Sequence, residues 1–188
     1  GIPAGIGAVV LLKWRGRALF PLLAVAIAGV IAVAGLTQVS ARFASLLDFS
    51  SGTTFIRLRV WESTLEILAD HPVTGLGLDQ FLYDYSAAYI RPDAIVDPDL
   101  NHPHNIILDY WVRLGGAGVG IIIATQIIFW RRAIQQWRQQ PSNALLVGAM
   151  GAMAALLAHG LIDNSVYVND LALIFVLLLA IVAHHDTS

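Results

Sequence analysis

The chain has 188 residues, of which 57% are hydrophobic and 13% charged, with a formal net charge of -2. Its mean hydropathy of +0.69 excludes an ordinary water-soluble domain, and its slightly acidic balance offers nucleic acid no basic surface. It contains no cysteine, so no disulfide can stabilise an exported segment.

Apolar runs of membrane-spanning length recur along the chain. A hydrocarbon core of roughly 30 Å needs about 20 predominantly apolar residues in a helix. Residues 1–12 are apolar but too short to cross, and we interpret them as a partial span of a longer polytopic protein. The complete predicted spans are residues 18–36, 106–130, 143–162 and 166–183. The sequence therefore predicts an all-α integral membrane protein with about four complete transmembrane helices and an N-terminal partial span.

Basic residues predict the orientation of these spans, because short basic loops tend to stay in the cytoplasm. One basic group precedes the first complete span and another follows the second. These groups are Lys13, Arg15 and Arg17, and then Arg131, Arg132 and Arg138. Residues 37–105 are therefore expected to form a large, mostly helical loop on the extracytoplasmic side, and the short connection 163–169 is expected on that same side.

Two helices are predicted inside the large loop. Residues 56–69 have an amphipathic pattern, which predicts a helix along the membrane surface. Its apolar side chains at helical spacing are Trp61, Leu65 and Leu68. His71-Pro72 ends this helix, and a second predicted helix, residues 79–90, carries aromatic side chains on one face. These aromatic residues are Phe81, Tyr85 and Tyr89. They suit the membrane interface, and both helices are expected to form a lid over the bundle.

The sequence His102-Pro103-His104-Asn105 stands where the polar loop meets the apolar run from residue 106. Proline is favoured in the first turn of a helix, so His102 is the expected cap, with His104 and Asn105 in the first turn. The positive end of such a helix attracts phosphate and disfavours a protonated imidazole. We therefore expect a neutral His104 that can accept a proton.

Polar pairs also occur inside the predicted spans. Asp109 and Arg113 follow Asn105 on the same predicted helix face, and ionisable residues at this depth are costly, usually paired and often functional. Asn105 and Arg113 are therefore candidate substrate-binding residues, although Asp109 and Arg113 could also simply neutralise each other. His159 and Asp163, spaced i, i+4 near the end of the third span, are expected to form a structural hydrogen bond.

A metal site is the alternative interpretation of the two neighbouring histidines. His102 and His104 form a His-x-His pair, which can ligate zinc, and Asp97 and Asp99 lie close by in the sequence. No third and fourth ligand falls at a recognised spacing. The sequence therefore predicts no bound metal and no other cofactor.

Three short motifs follow one another in the middle third of the chain. The first is Arg57-x-x-x-Trp61, and the second is His71-Pro72 followed by Gly75-x-Gly77. The third and most specific is His104-Asn105, nine residues, Gly115, two residues and Gly118. In this order they resemble the O-antigen ligase superfamily, which includes lipid A core O-antigen ligases, O-antigen polymerases and protein O-oligosaccharyltransferases.

The resemblance implies glycan transfer from a polyprenyl-pyrophosphate carrier to an acceptor hydroxyl, on the periplasmic face of the bacterial inner membrane. By similarity, His104 would be the general base and the reaction would invert the anomeric carbon. Arg57 would hold the pyrophosphate with its planar guanidinium, and Arg59 is a second candidate that points elsewhere on a helix. The implied partners are a lipid-linked glycan donor, a glycan, lipid or protein hydroxyl acceptor, and membrane lipid, with no nucleic acid.

Two other function classes stay open. One is a transporter or flippase of lipid-linked sugars, and the other is a non-catalytic module for envelope assembly. Transporters usually keep charged residues near the bilayer midplane, whereas the polar residues here collect at one face. A docking surface does not need an arginine, a His-Asn pair and paired glycines in a fixed order. An enzyme is therefore the predicted class.

Overall fold

The computed structural model describes residues 1–13, 50–94, 100–163 and 166–184. These residues form α-helices joined by turns, with no strand among them. The α-helices are α1 (Ile2–Lys13), α2 (Gly52–Asp70), α3 (Phe81–Asp84), α4 (Ile106–Gln139), α5 (Ala144–Gly160) and α6 (Asn169–His184). A π-helical turn spans Tyr85–Tyr89 and a 3-10 turn spans Pro92–Ala94. The predicted helical class is confirmed over these ranges, and the predicted span 18–36 lies outside them.

Among the described helices, α4 is the one that is long and apolar enough to cross a bilayer. α5 and α6 coincide with two further predicted spans, but they have only 17 and 16 residues, fewer than the roughly 20 that a complete crossing needs. The predicted number of four complete spans is therefore not confirmed. Large apolar side chains are exposed on α4 and α6, including Ile123, Ile128, Leu173 and Val176. Exposed apolar surface of this kind is typical of helices that face lipid or another protein.

α1 packs closely against α5 through small residues. A Cβ added to Gly5 would lie 2.7 Å from the carbonyl oxygen of Gly151, and one added to Gly1 would lie 2.7 Å from that of Ala155. Small residues let helix backbones approach in this way, and such contacts are common between membrane helices. Gly151 and Ala155 therefore serve helix packing.

α4 is interrupted at Gly115, where φ is 66° and ψ is -162°. The turn that follows α2 docks into this break. The amide of Leu76 donates to the carbonyl of Val112 (2.7 Å), and the amide after Gly115 donates to the carbonyl of Val73 (3.0 Å). A Cβ on Gly115 would run into the Val73 carbonyl, and one on Gly75 would run into that of Val112. Only glycine permits this contact, which we call the glycine junction.

α2 confirms the predicted amphipathic helix but buries a different face. It begins at Gly52, earlier than predicted, and ends at Asp70, with His71 as its C-cap. Its buried residues are Val60, Ser63, Thr64, Ile67 and Leu68. The predicted apolar face is wrong at Leu65, which is 55% exposed. Hydrophobicity alone did not predict the buried face correctly, because that face includes Thr64. Its hydroxyl donates a hydrogen bond to the carbonyl of Val60 in the same helix (2.6 Å).

The second predicted loop helix, residues 79–90, is shorter and less regular than expected. Asp79 has a left-handed φ of 59°, which is incompatible with a helical start there, and α3 begins only at Phe81. Phe81 and Tyr85 are fully buried and stack with their ring centroids 5.2 Å apart. Two of the three aromatic residues therefore pack inside the loop, beneath α2, and do not lie at an open membrane interface.

Candidate functional site

The helix after the His-Pro-His-Asn motif begins later than predicted. α4 starts at Ile106, and Asn105 is its N-cap, since the side-chain oxygen accepts from two amides of the first turn at 3.0 and 3.2 Å. Asparagine satisfies helix-end amides in this way better than histidine does. The expectation that His102 caps the helix is therefore wrong. His104 lies before the helix, in the left-handed region with φ at 52°.

His104 is held by a carboxylate from a distant part of the chain. Its Nδ1 lies 2.9 Å from Oδ1 of Asp163, which follows α5. An ionised carboxylate can only accept a hydrogen bond, so in the neutral imidazole Nδ1 carries the proton and Nε2 keeps its lone pair. The i, i+4 spacing in the sequence suggests that Asp163 pairs with His159. The contact described between these two residues is a backbone hydrogen bond from the Asp163 amide to the His159 carbonyl.

Arg57 reaches the same carboxylate from α2. Its Nη2 lies 3.7 Å from Oδ2 of Asp163, and about a third of its side chain is exposed. Its Nε is buried and has no hydrogen-bond partner in the described part of the chain. One turn later, the indole of Trp61 donates to the carbonyl of Pro103 (2.8 Å). The i, i+4 spacing places both residues on one face of α2, so Trp61 anchors the helix where Arg57 meets His104.

Arg59 faces a different cluster. It donates to Glu62 at 2.7 Å, contacts Asp93 at 3.0 Å and lies over the ring of Phe55. The hydrogen bond to Glu62 is the main cause that raises the pKa of Arg59; desolvation opposes it, and the nearby Asp93 carboxylate adds to the rise. Its guanidinium therefore already contacts acidic neighbours, and pyrophosphate binding by Arg59 stays a prediction.

Asn105 connects two helices through both ends of its amide. While its oxygen caps α4, its nitrogen donates to the carbonyl of Leu161 at the end of α5 (2.9 Å). This bond holds the His104 segment against the connection that carries Asp163. Asn105 thus holds the site together through its hydrogen bonds, and direct contact with substrate stays a prediction for this residue.

Arg113 lies in a buried cluster of its own. Its side chain is only 7% exposed, and it bonds Asp109, which is 1% exposed, at 2.8 Å. The other guanidinium nitrogens bond Asp79 at 2.6 Å and the carbonyl of Asn101 at 3.2 Å. Tyr167 stacks on the guanidinium with its centroid 4.6 Å from Cζ. These contacts support mutual neutralisation of Arg113 and Asp109, while substrate binding by Arg113 stays a prediction.

His102 lies beside His104, with its Nε2 3.2 Å from Nδ1 of His104. Its own Nδ1 faces the side-chain oxygen of Asn101. The predicted zinc alternative drew on Asp97 and Asp99, and both lie outside the described residues. The nearest described carboxylate to this histidine pair is Asp163, whose oxygen lies within 4.8 Å of both imidazole nitrogens.

Sequence reasoning missed the role of Asp163. Hydropathy gave one indication that Asp163 could lie near His104, because the order of the predicted spans places the 163–169 connection on the same side as the large loop. It could not show that the carboxylate reaches His104, since 59 residues and two helices separate them. The structure thus brings together a base with an available lone pair, a carboxylate behind it and a guanidinium beside it. Such a set can deprotonate a hydroxyl and stabilise an anion.

Comparison with known proteins identifies a family. A family model described as O-antigen ligase matches residues 1–123, which include Arg57, His104 and the glycine junction. No curated protein matches the chain. Asp163 lies beyond the matched residues, so its place beside His104 rests on the structure.

Proposed function

Because the chain belongs to the O-antigen ligase family, we propose that it moves a glycan from a polyprenyl-pyrophosphate carrier to an acceptor hydroxyl at the periplasmic membrane face. Membership implies a membrane glycosyltransferase of the ligase or polymerase type. The donor, the base and the inverting course are our proposal. It is supported by the convergence of Arg57, His104 and Asp163 at the outer end of α4.

The proposed reaction begins at Nε2 of His104. This nitrogen takes the proton of the acceptor hydroxyl while the hydroxyl oxygen forms a bond to the anomeric carbon of the donor sugar. The bond from that carbon to the pyrophosphate oxygen breaks, and its electron pair leaves with the polyprenyl pyrophosphate. Attack from the face opposite the carrier inverts the configuration of the anomeric carbon.

Asp163 orients and stabilises this base. With the Nδ1 proton held at 2.9 Å by the carboxylate, His104 is fixed in the tautomer that leaves Nε2 unprotonated. When Nε2 takes the acceptor proton, the imidazole becomes cationic, and the adjacent negative charge stabilises it. Asp163 is therefore a positioning residue that acts through His104.

Arg57 would stabilise the leaving group. Its guanidinium is one-third exposed, and its ion pair within the described part of the chain is a long, 3.7 Å contact with Asp163, so its donors can turn to phosphate oxygens. A planar guanidinium binds two phosphate oxygens at once, and its charge is most valuable as the departing pyrophosphate gains negative charge. Transfer thus needs Arg57 on the donor and His104 on the acceptor.

Replacement of His104 tests this proposal. Because His104 has a left-handed backbone, His104→Asn is the most informative variant, since asparagine tolerates that conformation but cannot act as a base. We expect transfer to fall by about 10²- to 10⁴-fold, the usual contribution of a general base. Glycan transfer is measured in membrane vesicles with lipid-linked donor, together with membrane insertion and donor binding.

His71→Ala is the matched control, because His71 is an exposed histidine on the same loop that caps α2 through its backbone. This variant should transfer glycan normally. Unchanged transfer in His104→Asn would remove His104 from the mechanism. Loss of insertion or of donor movement across the bilayer, with transfer chemistry intact, would instead favour an assembly or flippase role.

A further inference from the structure

Three potential metal ligands meet at the outer end of α4. They are Nε2 of His102, Nδ1 of His104 and a carboxylate oxygen of Asp163, all within 4.8 Å of one another. We propose that they form a binding site for a divalent transition-metal ion such as Zn²⁺, and that the bound ion inhibits glycan transfer. Binding is independent of the proposed function, whereas inhibition rests on it.

The distances between these atoms suit a tetrahedral ion. Bonds of about 2.0 to 2.1 Å to zinc place tetrahedral ligand atoms roughly 3.3 Å apart. Nε2 of His102 is 3.2 Å from Nδ1 of His104, and that Nδ1 is 2.9 Å from Oδ1 of Asp163. Two edges of the ligand triangle therefore need adjustments of less than about half an ångström. Three protein ligands leave a fourth position for water or another ligand.

The surrounding contacts hold the ligands in place. Asn101 presents its side-chain oxygen to Nδ1 of His102, so that nitrogen keeps its proton and Nε2 carries the lone pair that can bind an ion. Ligand histidines commonly donate their other ring N–H to an oxygen in this way. The bond from Asn105 to the carbonyl of Leu161 holds the histidine segment against the Asp163 connection. The site thus combines residues from two segments that the fold already fixes.

An ion at this position would force His104 into the tautomer that cannot act as the proposed base. Binding through Nδ1 of His104 requires the proton on that atom to move to Nε2. Nε2 would then carry a hydrogen and could no longer accept one from the acceptor hydroxyl. The ion would also occupy the carboxylate of Asp163 that otherwise stabilises the protonated base. Metal binding and proton acceptance at His104 are therefore mutually exclusive.

The chemistry of the site also predicts selectivity. Two imidazoles and one carboxylate suit Zn²⁺, Co²⁺, Ni²⁺ or Cu²⁺, whereas Mg²⁺ prefers oxygen ligands. Arg57, 3.7 Å from Asp163, opposes a cation by repulsion and competes for the carboxylate. Removal of the Arg57 charge should therefore strengthen metal binding, an effect that a nonspecific surface site would not show.

Calorimetric titration with ZnCl₂ tests the site, using the intact protein in nanodiscs without a polyhistidine tag. We expect one ion per chain and at least about tenfold weaker binding in His102→Ala, since even changes around the ligands cost this much. Arg57→Ala should bind Zn²⁺ more tightly. His71→Ala should bind as the unaltered protein does, and MgCl₂ should give no saturable signal.

Transfer assays test the inhibition separately. His102 has no part in the proposed reaction, so His102→Ala should keep basal transfer while losing sensitivity to Zn²⁺. Equal Zn²⁺ affinity in His102→Ala and the unaltered protein would overturn the site. Tight, His102-dependent binding without inhibition would overturn the tautomer coupling. If no transfer occurs under any condition, the proposed function fails, and the titration still decides whether the metal site exists.

Discussion

Two arginine–aspartate pairs lie near the N-terminal half of α4, and their guanidinium groups differ in exposure and in the number of hydrogen bonds that they make. Arg113 is 7% exposed and bonds Asp109, Asp79 and a backbone carbonyl. Arg57 is 32% exposed, has one contact at 3.7 Å with Asp163, and keeps a buried Nε without a partner in the described residues. The Arg113 cluster is therefore the closed one, in that its guanidinium is buried and held by three oxygens, although Oδ2 of Asp109 has no partner among the described residues. The Arg57 cluster is the open one, since its guanidinium is partly exposed.

The contrast teaches that residue type and spacing alone do not identify a functional ion pair. Asp109 and Arg113 have a helical i, i+4 spacing and therefore attract attention in the sequence. Arg57 and Asp163 lie far apart in the chain and show no such pattern. An arginine with donors left over is the better candidate for an anionic substrate, because a saturated guanidinium must first break several bonds to bind one.

Among the charged residues that surround His104, Asp163 should give the largest effect on transfer. Asp163→Asn keeps the shape of the side chain, but its amide can donate to Nδ1 and so favour the tautomer with a proton on Nε2. We expect transfer to fall by about 10³- to 10⁴-fold, as seen where a histidine base loses its orienting aspartate, with donor affinity nearly unchanged. A loss confined to donor affinity would contradict the positioning role.

Arg57 should give the next largest effect on transfer. Arg57→Ala removes the charge that faces the leaving pyrophosphate, and we expect a loss of about 10²- to 10³-fold in kcat/KM with weaker donor binding. Arg57→Lys should recover only part of it, because an ammonium lacks the planar fork. Arg59→Ala is the matched control on the same helix and should stay within roughly tenfold of normal. Full activity in Arg57→Ala would end the phosphate role.

The closed cluster should respond in stability and only weakly in chemistry. Arg113→Met leaves the buried Asp109 carboxylate without its partner, which we expect to cost about 3 to 5 kcal/mol in the free energy of unfolding. The double variant Asp109→Leu with Arg113→Met removes both charges and should recover most of that loss. Thermal unfolding in detergent measures both variants. A well-folded Arg113→Met that transfers as poorly as Arg57→Ala would restore Arg113 as a substrate ligand.

Composition and local patterns were enough to predict the helices. The amphipathic pattern located α2, His71-Pro72 marked its end, and the apolar runs located α4, α5 and α6. The boundaries were less accurate where a side chain competes for the backbone. Asn105 caps α4 in place of His102 because the oxygen of its short side chain accepts from two first-turn amides. The proline at position 103 had instead favoured His102 as the cap.

The candidate site was only partly predictable for a related reason. His104 and Arg57 belong to motifs that the chain carries in fixed order, so resemblance could single them out. Asp163 depends on a tertiary contact between the ends of α4 and α5, which no local pattern encodes. The glycines at positions 75 and 115 belong to two of these motifs, but their contact with each other depends on two backbone segments that the fold brings together.

The glycine junction has a genetic consequence. Gly75 and Gly115 press against the same pair of backbone segments, so a methyl group at either position would open the same contact. A second methyl group at the other position would then meet space that the first had already created. Changes at the two positions should therefore be epistatic, with the double substitution costing less than the sum of the two single ones, while the left-handed backbone at each glycine keeps a cost of its own.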